Sequence, residues 1–329
     1  MSKGTIFSGM RPTGRLHVGH LSVLENWVKL QNEYECYFGI VDWHAMTTSF
    51  EETESFQDNI REMAIDWLSV GLDPEKSAIF IQSHVKEHAE LHLAFSMITP
   101  ISWLERVPAY KDQIQQLGLQ GKDINTYGFL GYPLLMAADI LIYKADTVPV
   151  GVDQLPHLEL AREVARRFNF MYNTDLFPEP QAKLAEVTLL PGVDGRKMSK
   201  SYKNYLSIAA SSEEIKQAVN AMITDPARVR KTDPGNPEVC VVHTYQKLYN
   251  LAEVEEIHTG CRQASMGCVA CKQRLAASIE KSLAPYRDRR AALEAKPQLV
   301  DEILHEGARK AQVTAKATMQ EVKEAIRFK

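Results

Sequence analysis

The chain has 329 residues and a formal net charge of −4, and this length favours two domains rather than one. Hydrophobic residues make up 45% of the sequence and charged residues 24%, which is typical of a globular protein and argues against a disordered chain. No apolar run approaches the roughly 18 residues that a membrane span needs, so a transmembrane protein is excluded. The N-terminus lacks the apolar stretch of a secretory signal, and the sequence therefore predicts a cytoplasmic protein.

Positive charge is concentrated toward the C-terminus. Residues 272–329 contain 13 Lys and Arg against 8 Asp and Glu, although the chain as a whole is negative. A polyanionic partner should therefore favour this part of the molecule. The same bias also fits a solvated helical face, and charge alone does not decide between the two.

The first 200 residues alternate between strands and helices. Apolar runs predict strands at residues 5–8, 36–41, 78–81 and 147–150, and helical periodicity predicts helices at residues 19–30, 60–72 and 155–168 and from Glu87 onward. Asp153 is placed to cap the helix at 155–168, and Pro156 falls in its first turn. This alternation indicates an α/β fold, with a Rossmann-like parallel sheet and helices on both faces.

The pattern changes after about residue 202. From Ser211 onward the sequence shows helical periodicity and no convincing strand, and residues 212–214 read as a helix start. We therefore predict an α/β domain at residues 1–203 and an α-helical domain at residues 204–329. The last helix, near residues 319–328, could pack back on the α/β domain.

The first strand leads through a loop containing Gly and Pro into His17-Val18-Gly19-His20. This is the ligand-binding edge of an open α/β sheet, where a helix N-terminus offers unpaired N–H groups to a phosphate. Gly19 lets an adenine ring lie against the backbone, and two histidines three residues apart share one helix face. An isolated HxGH is more often two surface histidines, but its position after a strand favours a nucleotide site.

A second motif, Lys197-Met198-Ser199-Lys200-Ser201, follows a glycine-containing loop. Its two lysines can form a mobile cationic clamp, which stabilises the charge that develops on a triphosphate when the α-phosphorus is attacked. A loop rich in Lys and Ser is usually only solvated. Its occurrence C-terminal to HxGH in the same chain favours the nucleotide interpretation.

Together the two motifs resemble those of the class I aminoacyl-tRNA synthetases, with Val where the common form of the first has Ile. The stretches YPLLMAADIL (132–141), VPVGVDQ (148–154), DPARVR (225–230) and DPG (233–235) are similar to the tryptophanyl members. The resemblance extends over nearly the whole chain. It implies activation of L-tryptophan by ATP with Mg²⁺, transfer to tRNA(Trp), a homodimer, a catalytic α/β domain and an anticodon-binding helical domain.

The resemblance also implies roles for individual residues. Catalytic residues are expected at His17, His20, Lys197 and Lys200. The residues expected to bind ATP are Arg11, Pro12, Thr13, Gly19, His20, Gly151, Val152, Asp153, Leu189, Lys197, Met198, Ser199, Lys200 and Ser201. Arg11 stands where many bacterial members have Gln, and Val152 replaces a common Glu, so contacts at both positions are expected to differ. Lys111 could close over phosphate or simply be solvated.

Tyr132, Met136 and Asp139 are spaced i, i+4, i+7 and therefore lie on one helix face. A hydroxyl, a thioether and a carboxylate on one face suit a flat aromatic ligand with one polar hydrogen, and Asp139 can accept an indole N–H. A purely structural stripe would leave the carboxylate in need of another partner. The resemblance adds Tyr132 and Gln154 as contacts of the substrate amino group, and His44 could border the same pocket.

Three other functions stay open. A tyrosyl enzyme would share the fold and an aspartate on this helix, whereas Met136 and the DPARVR and DPG stretches favour tryptophan. An adenylyl- or cytidylyltransferase also uses HxGH but does not need a second helical domain. A non-catalytic tRNA- or metal-binding paralogue is disfavoured by the intact HVGH and KMSKS motifs.

Four of the five cysteines cluster at residues 240–271, in the pattern C-x20-C-x6-C-x2-C: Cys240, Cys261, Cys268 and Cys271. A disulfide is disfavoured in a chain without an export signal, and four thiolates can bind Zn²⁺ or an iron–sulfur cluster. Structural zinc usually uses two short knuckles and only one is present, so the spacing favours a [4Fe–4S] cluster over Zn²⁺, with free cysteines as the third alternative. Some tryptophanyl enzymes resemble this chain in carrying such a cluster in the helical domain.

Overall fold

The computed structural model describes residues 2–108, 110, 114, 124–184, 190–200 and 202–328. The strands in these residues are β1 (Thr5–Met10), β2 (Glu35–Ile40), β3 (Ser77–Ile81), β4 (Thr147–Val150) and β5 (Gln181–Leu184). They form one parallel sheet in the order β3–β2–β1–β4–β5. The direction of winding reverses between β1 and β4, and such a reversal opens a crevice at the carboxyl ends of the two strands.

Helices cover the sheet and form the C-terminal part. Those of the α/β part are α1 (Leu21–Leu30), α2 (Asp42–Ser49), α3 (Phe56–Val70), α4 (Glu87–Ser96), α5 (Ile101–Glu105), α6 (Tyr127–Leu141) and α7 (Leu155–Tyr172). Those that follow are α8 (Ser212–Ala221), α9 (Val241–Tyr249), α10 (Val254–Arg262), α11 (Cys268–Glu294) and α12 (Pro297–Ala325). No helix among the described residues combines the length and apolarity that crossing a membrane requires.

Both faces of the sheet are buried. On one face Trp27 of α1 stacks on Phe38 of β2, with ring centroids 4.8 Å apart. On the other face Tyr143 stacks on Tyr37, the residue before Phe38, with centroids 4.2 Å apart. Successive side chains of a strand point to opposite faces, so the apolar run of β2 supplies both cores. The predicted α/β fold, with a parallel sheet and helices on both faces, is confirmed.

Two local features differ from the sequence expectations. Gln154, not Asp153, is the N-cap of α7, and Asp153 lies in the preceding 3₁₀ turn, where its carboxylate accepts from the Gln154 side chain at 2.9 Å. The predicted capping role of Asp153 is therefore wrong, whereas Pro156 does lie in the first turn. Strand β5 has no predicted counterpart, because its Gln-Ala-Lys-Leu sequence is a short, partly exposed strand without an apolar run.

The described residues after 211 contain helices and no strand. Helix α8 begins with a capping box, in which Ser211 and Glu214 each bond the other's backbone N–H. Helix α12 returns to the sheet and crosses β3 so closely that a Cβ on Gly307 would lie 1.9 Å from the Ile79 carbonyl oxygen. Only glycine permits that approach. The division of the chain at residues 203 and 204 stays a prediction.

Candidate active site

A cavity of about 590 Å³ opens at the carboxyl ends of β1 and β4, where the reversal in strand order places a ligand site. Its size is that of a small-molecule pocket. The side chain of Val152 does not line it and is 71% exposed. The predicted site residues that do line it are Arg11, His44, Tyr132, Met136, Asp139, Gly151, Asp153 and Gln154.

Asp139 lies at the wall of this cavity and is only 1% exposed. Its carboxylate accepts from His44 Nε2 at 2.9 Å, from His88 Nδ1 at 2.7 Å and from Gln82 Nε2 at 2.7 and 2.8 Å. The carboxylate therefore has protein partners, which the sequence analysis did not foresee. Each oxygen already accepts twice, so a further donor from a ligand would share an oxygen with the bifurcated Gln82 contact.

The same partners keep Asp139 ionised. Burial alone would raise the pKa of Asp139, but the charge and hydrogen bonds of His88 and His44 outweigh burial and lower it to about 2. His88 is itself held, because its Nε2 lies 2.7 Å from the Tyr143 hydroxyl. The wall of the cavity thus presents a fixed negative charge at neutral pH.

Tyr132 is fixed two turns away from Asp139 on α6. Its hydroxyl shares a hydrogen bond of 2.7 Å with His157 Nε2, and its ring stacks on Phe129 with centroids 5.2 Å apart. Burial raises the pKa of Tyr132 to about 12, so the hydroxyl stays protonated and available as a hydrogen-bond donor or acceptor. Two of the three residues in the predicted stripe, Tyr132 and Asp139, are therefore held by hydrogen bonds within the protein.

The two histidines of HVGH lie at the start of α1, with ring centroids 3.8 Å apart. The backbone N–H of His17 donates to His20 Nδ1 at 3.3 Å. Burial, the neighbouring imidazole and Lys200 lower the pKa of His17 to about 3, and burial and Lys200 lower that of His20 to about 4. Both rings are therefore neutral at pH 7. Since Nδ1 of His20 accepts a bond, its proton is on Nε2, which can donate to a ligand.

Hydrogen bonds from the buried side chain of Asn204, which is 2% exposed, hold the KMSKS loop in place. Asn204 Oδ1 accepts from the Ser199 backbone N–H at 2.8 Å, and Nδ2 donates to the Lys197 carbonyl at 3.1 Å and to Asp194 Oδ1 at 2.8 Å. Met198 is buried in the core beneath the loop. This arrangement leaves the side chain of Lys197 exposed at the surface of the loop.

Lys200 links the KMSKS loop to the loop that leads from β1 into HVGH. Its ammonium group donates to the Thr13 carbonyl oxygen and lies 3.4 Å from the Thr13 hydroxyl. Arg11, Pro12 and Thr13 also line a second cavity of about 310 Å³ beside the first. The predicted residues Leu189 and Ser201, and the residue at 111, lie outside the described residues.

Four polar residues of the site were not predicted from the sequence: Gln82, His88, His157 and Asn204. Gln82 had a usable signal, because it directly follows a predicted strand at the ligand-binding edge of the sheet. The other three had none, since their partners are distant in sequence or lie in irregular structure.

The clustered cysteines line one small cavity in the C-terminal part: Cys240, Cys261, Cys268 and Cys271. All are free thiols. Arg228 Nη1 lies 3.7 Å from Cys261 Sγ and 3.8 Å from Cys268 Sγ, and Gln246 Nε2 lies 3.4 Å from Cys271 Sγ. In the part of the chain that the structure describes, no three His, Cys, Asp or Glu side chains are arranged to hold a metal ion.

A parallel sheet with HVGH at the end of its first strand and a KMSKS loop closing on it has the architecture of a class I synthetase. The family model "tRNA synthetases class I (W and Y)" matches residues 2–284. The chain is 51% identical over 325 residues to the tryptophan–tRNA ligase of Thermotoga maritima, covering 98% of each chain. It is 44% identical over 391 residues to that of Aquifex aeolicus, covering 98% of this chain and 99% of the relative.

A solved structure is also similar. The crystal structure of tryptophanyl-tRNA synthetase from Campylobacter jejuni complexed with ADP and tryptophan matches with a TM-score of 0.88 and 34% sequence identity. The match covers 98% of this chain and 99% of that one. The chain belongs to the class I tRNA synthetases of the tryptophan and tyrosine family.

Proposed function

We propose that this chain is a cytoplasmic tryptophan–tRNA ligase, which activates L-tryptophan with ATP and transfers it to tRNA(Trp). The observation that carries the proposal is the juxtaposition of two features at one sheet edge. The cavity with Tyr132, Met136 and Asp139 on its wall suits an indole, and beside it Lys200 of the KMSKS loop bonds Thr13, in the loop that leads from β1 into HVGH. The relatives named as tryptophan–tRNA ligases support the same substrate.

In the first step, a carboxylate oxygen of tryptophan attacks the α-phosphorus of the Mg²⁺–ATP substrate. A new P–O bond forms, the bond to the β-phosphate bridge breaks, and pyrophosphate leaves with tryptophanyl-adenylate retained. His17 and His20, both neutral, donate N–H bonds to phosphate oxygens, while Lys197 and Lys200 balance the negative charge that develops. The protein acts mainly by positioning the two substrates.

In the second step, a ribose hydroxyl at the 3′ end of tRNA attacks the carbonyl carbon of the adenylate, and AMP leaves. The positive C-terminal part is proposed to hold the anticodon, with the α/β domain at residues 1–203 and the helical domain at 204–329. This division agrees with the change from strands to helices along the chain.

Each substrate has a proposed set of contacts. Asp139 accepts the indole N–H, Met136 packs on the ring, Tyr132 and Gln154 contact the amino group, and His44 borders the pocket through its bond to Asp139. Val152 contributes only backbone, since its side chain is exposed. The other proposed ATP contacts are Arg11, Pro12, Thr13, Gly19, Gly151, Asp153, Leu189, Met198, Ser199 and Ser201.

For the cysteines we propose a [4Fe–4S] cluster with a structural role, bound by all four thiolates. The support is that the four side chains line one cavity, beside the cationic Arg228. Zn²⁺ is the weaker candidate. Structural zinc usually uses two short cysteine knuckles, and only Cys268 and Cys271 form one here.

A homodimer is proposed on the strength of an exposed apolar face. Leu93 of α4, Met97 directly after its last residue and Ile101 of α5 are 56%, 74% and 63% exposed, and clustered exposed apolar side chains mark association surfaces. Light scattering after size exclusion tests this proposal. Met97→Lys should convert a dimer to a monomer, whereas Phe170→Lys, at an exposed position of α7, should not.

The test of the main proposal is amino-acid-dependent exchange of pyrophosphate into ATP. Tryptophan should support exchange, and tyrosine and phenylalanine should not. Exchange with tyrosine and none with tryptophan would overturn the specificity. Exchange with no amino acid, in protein that still binds ATP, would favour a different nucleotidyl transfer.

A further inference from the structure

A buried cluster of charges joins the C-terminal helices to the α/β part. Arg290 of α11 is 4% exposed and pairs with Asp66 and Glu62 of α3. Its Nε lies 3.0 Å from Glu294. Asp66 has no exposed surface. Removing such charges from water is unfavourable, and apolar residues would join two helices at lower cost.

The cluster reaches the HVGH motif through the backbone. Asp66 Oδ1 pairs with Arg290, and Asp66 Oδ2 accepts from the backbone N–H of Leu16 at 2.6 Å. Leu16 directly precedes His17. On its other side the motif is held by Leu206, whose carbonyl accepts from the Val18 N–H at 2.9 Å. The backbone around His17 is therefore fixed between residue 206 and the Asp66–Arg290 pair.

The cluster also faces Lys200. Burial lowers the pKa of Lys200, and the carboxylates of Asp66 and Glu62 act in the opposite direction, so both carboxylates lie within electrostatic reach of the ammonium group. Arg290 offsets these two negative charges, together with Arg15, which bonds Glu62 at 2.7 Å. Without Arg290, the carboxylates of α3 would compete with a triphosphate for Lys200.

We propose that Arg290 and Asp66 are positioning residues for the ATP-dependent step. Asp66 holds the backbone N–H of Leu16, which sets the position of the two HVGH histidines. Arg290 fixes Asp66 and keeps the α3 carboxylates from drawing Lys200 away from the nucleotide. Neither residue touches substrate. The inference rests on the proposed function, because its kinetic readout is tryptophan activation.

The chain offers a matched control on the same pair of helices. Arg289, the neighbour of Arg290, donates from Nε to the Ser69 carbonyl of α3 at 2.5 Å. It joins α11 to α3 as Arg290 does, but its bond goes to a backbone carbonyl and not to the carboxylate that holds the Leu16 N–H. Arg290→Met and Arg289→Met each remove one arginine between the two helices, and only the first should alter ATP chemistry.

We expect Arg290→Met to lower kcat for tryptophan-dependent pyrophosphate exchange roughly 10- to 100-fold, since misplacing a reacting group by about 1 Å has effects of this size. KM for tryptophan should stay within about twofold, and Arg290→Lys should restore part of kcat. Arg289→Met should lower Tm and leave kcat within about twofold. Equal Tm losses in the two variants with wild-type kcat in both would overturn the proposal, because the pair would then be only structural.

A second variant covers the case in which an unpaired Asp66 prevents folding. Asp66→Leu/Arg290→Met removes both charges and leaves an apolar contact, which proteins usually tolerate. It should fold yet still lose kcat, because the Leu16 N–H has no acceptor. Wild-type kcat in this double variant would also overturn the proposal.

Calorimetric titration with ATP alone separates this inference from the proposed function. A severalfold weaker ATP affinity in Arg290→Met, with wild-type affinity in Arg289→Met, would support the positioning role even if no amino acid gave exchange. Equal ATP affinities in the two variants would count against it, whatever the wild-type substrate proves to be.

Discussion

Asp139→Asn tests whether one buried charge distinguishes tryptophan from other apolar amino acids. Asp139 now accepts from His44, Gln82 and His88 through two oxygens. An asparagine of the same shape has one acceptor oxygen, and its NH₂ group faces a former donor whichever way the amide is turned. The indole N–H then competes with two protein donors, Gln82 and one histidine, for the single remaining oxygen.

The size of the effect follows from that count. A buried donor left without a partner costs about 1–3 kcal/mol, which corresponds to roughly 5- to 150-fold in a rate ratio. Phenylalanine has no N–H to leave unpaired. The ratio of kcat/KM for tryptophan to that for phenylalanine should therefore fall by about this factor, while kcat/KM for phenylalanine changes less.

Pyrophosphate exchange with both amino acids, over a range of concentrations, measures that ratio. Tyr143→Phe is the control, because it removes the hydroxyl behind His88 without touching the carboxylate, and it should keep most of the discrimination. An active Asp139→Asn enzyme that separates the two amino acids as well as wild type would refute the reasoning. Discrimination would then lie in the shape of the cavity.

Three further predictions concern the motifs. The HVGH histidines have pKa values of about 3 and 4, so exchange should show no inflection near pH 6.5 that arises from them. Because these pKa values are lowered in the folded protein, the two histidines reduce the free energy of unfolding only as pH falls below about 6.5. His20→Asn should lower kcat and leave any inflection of the pH profile near pH 6.5 unchanged. If the variant loses such an inflection, His20 is the group that titrates there, against the prediction. Lys200→Met should lower kcat about 10²- to 10³-fold, whereas the control Lys203→Met should leave kcat unchanged. Wild-type exchange in Lys200→Met would remove Lys200 from the mechanism. Anaerobically purified protein should absorb near 400 nm and hold about four irons per chain. Cys36→Ser should retain the absorbance and the iron, and Cys261→Ser should lose both. Colourless protein that holds one zinc per chain would contradict the cluster.

The strands and the α6 stripe could be predicted because their signals are local. Buried runs such as residues 36–41 have the length and composition of central strands. The spacing of Tyr132, Met136 and Asp139 fixes their common face once the segment is helical. The position of HVGH after β1 likewise follows from chain order in an open sheet.

The partners of these residues could not be predicted, because tertiary contacts leave no periodic signal in one sequence. Gln82 is 57 residues from Asp139, and Asp66 is 224 residues from Arg290. The error at Asp153 has a local cause, since α7 begins at Leu155 as predicted and the cap is the residue directly before it, Gln154, while Asp153 lies in the preceding 3₁₀ turn. Pattern reasoning locates helices but resolves their ends less well, as in α3, which is predicted at residues 60–72 and observed at Phe56–Val70.

Charging of purified tRNA tests the central claim most directly. The enzyme, with ATP, Mg²⁺ and labelled tryptophan, should attach tryptophan to a tRNA(Trp) transcript and not to a tRNA(Tyr) transcript. Labelled tyrosine should be attached to neither. Attachment of tyrosine to tRNA(Tyr), or tryptophan activation without transfer to tRNA(Trp), would contradict the account.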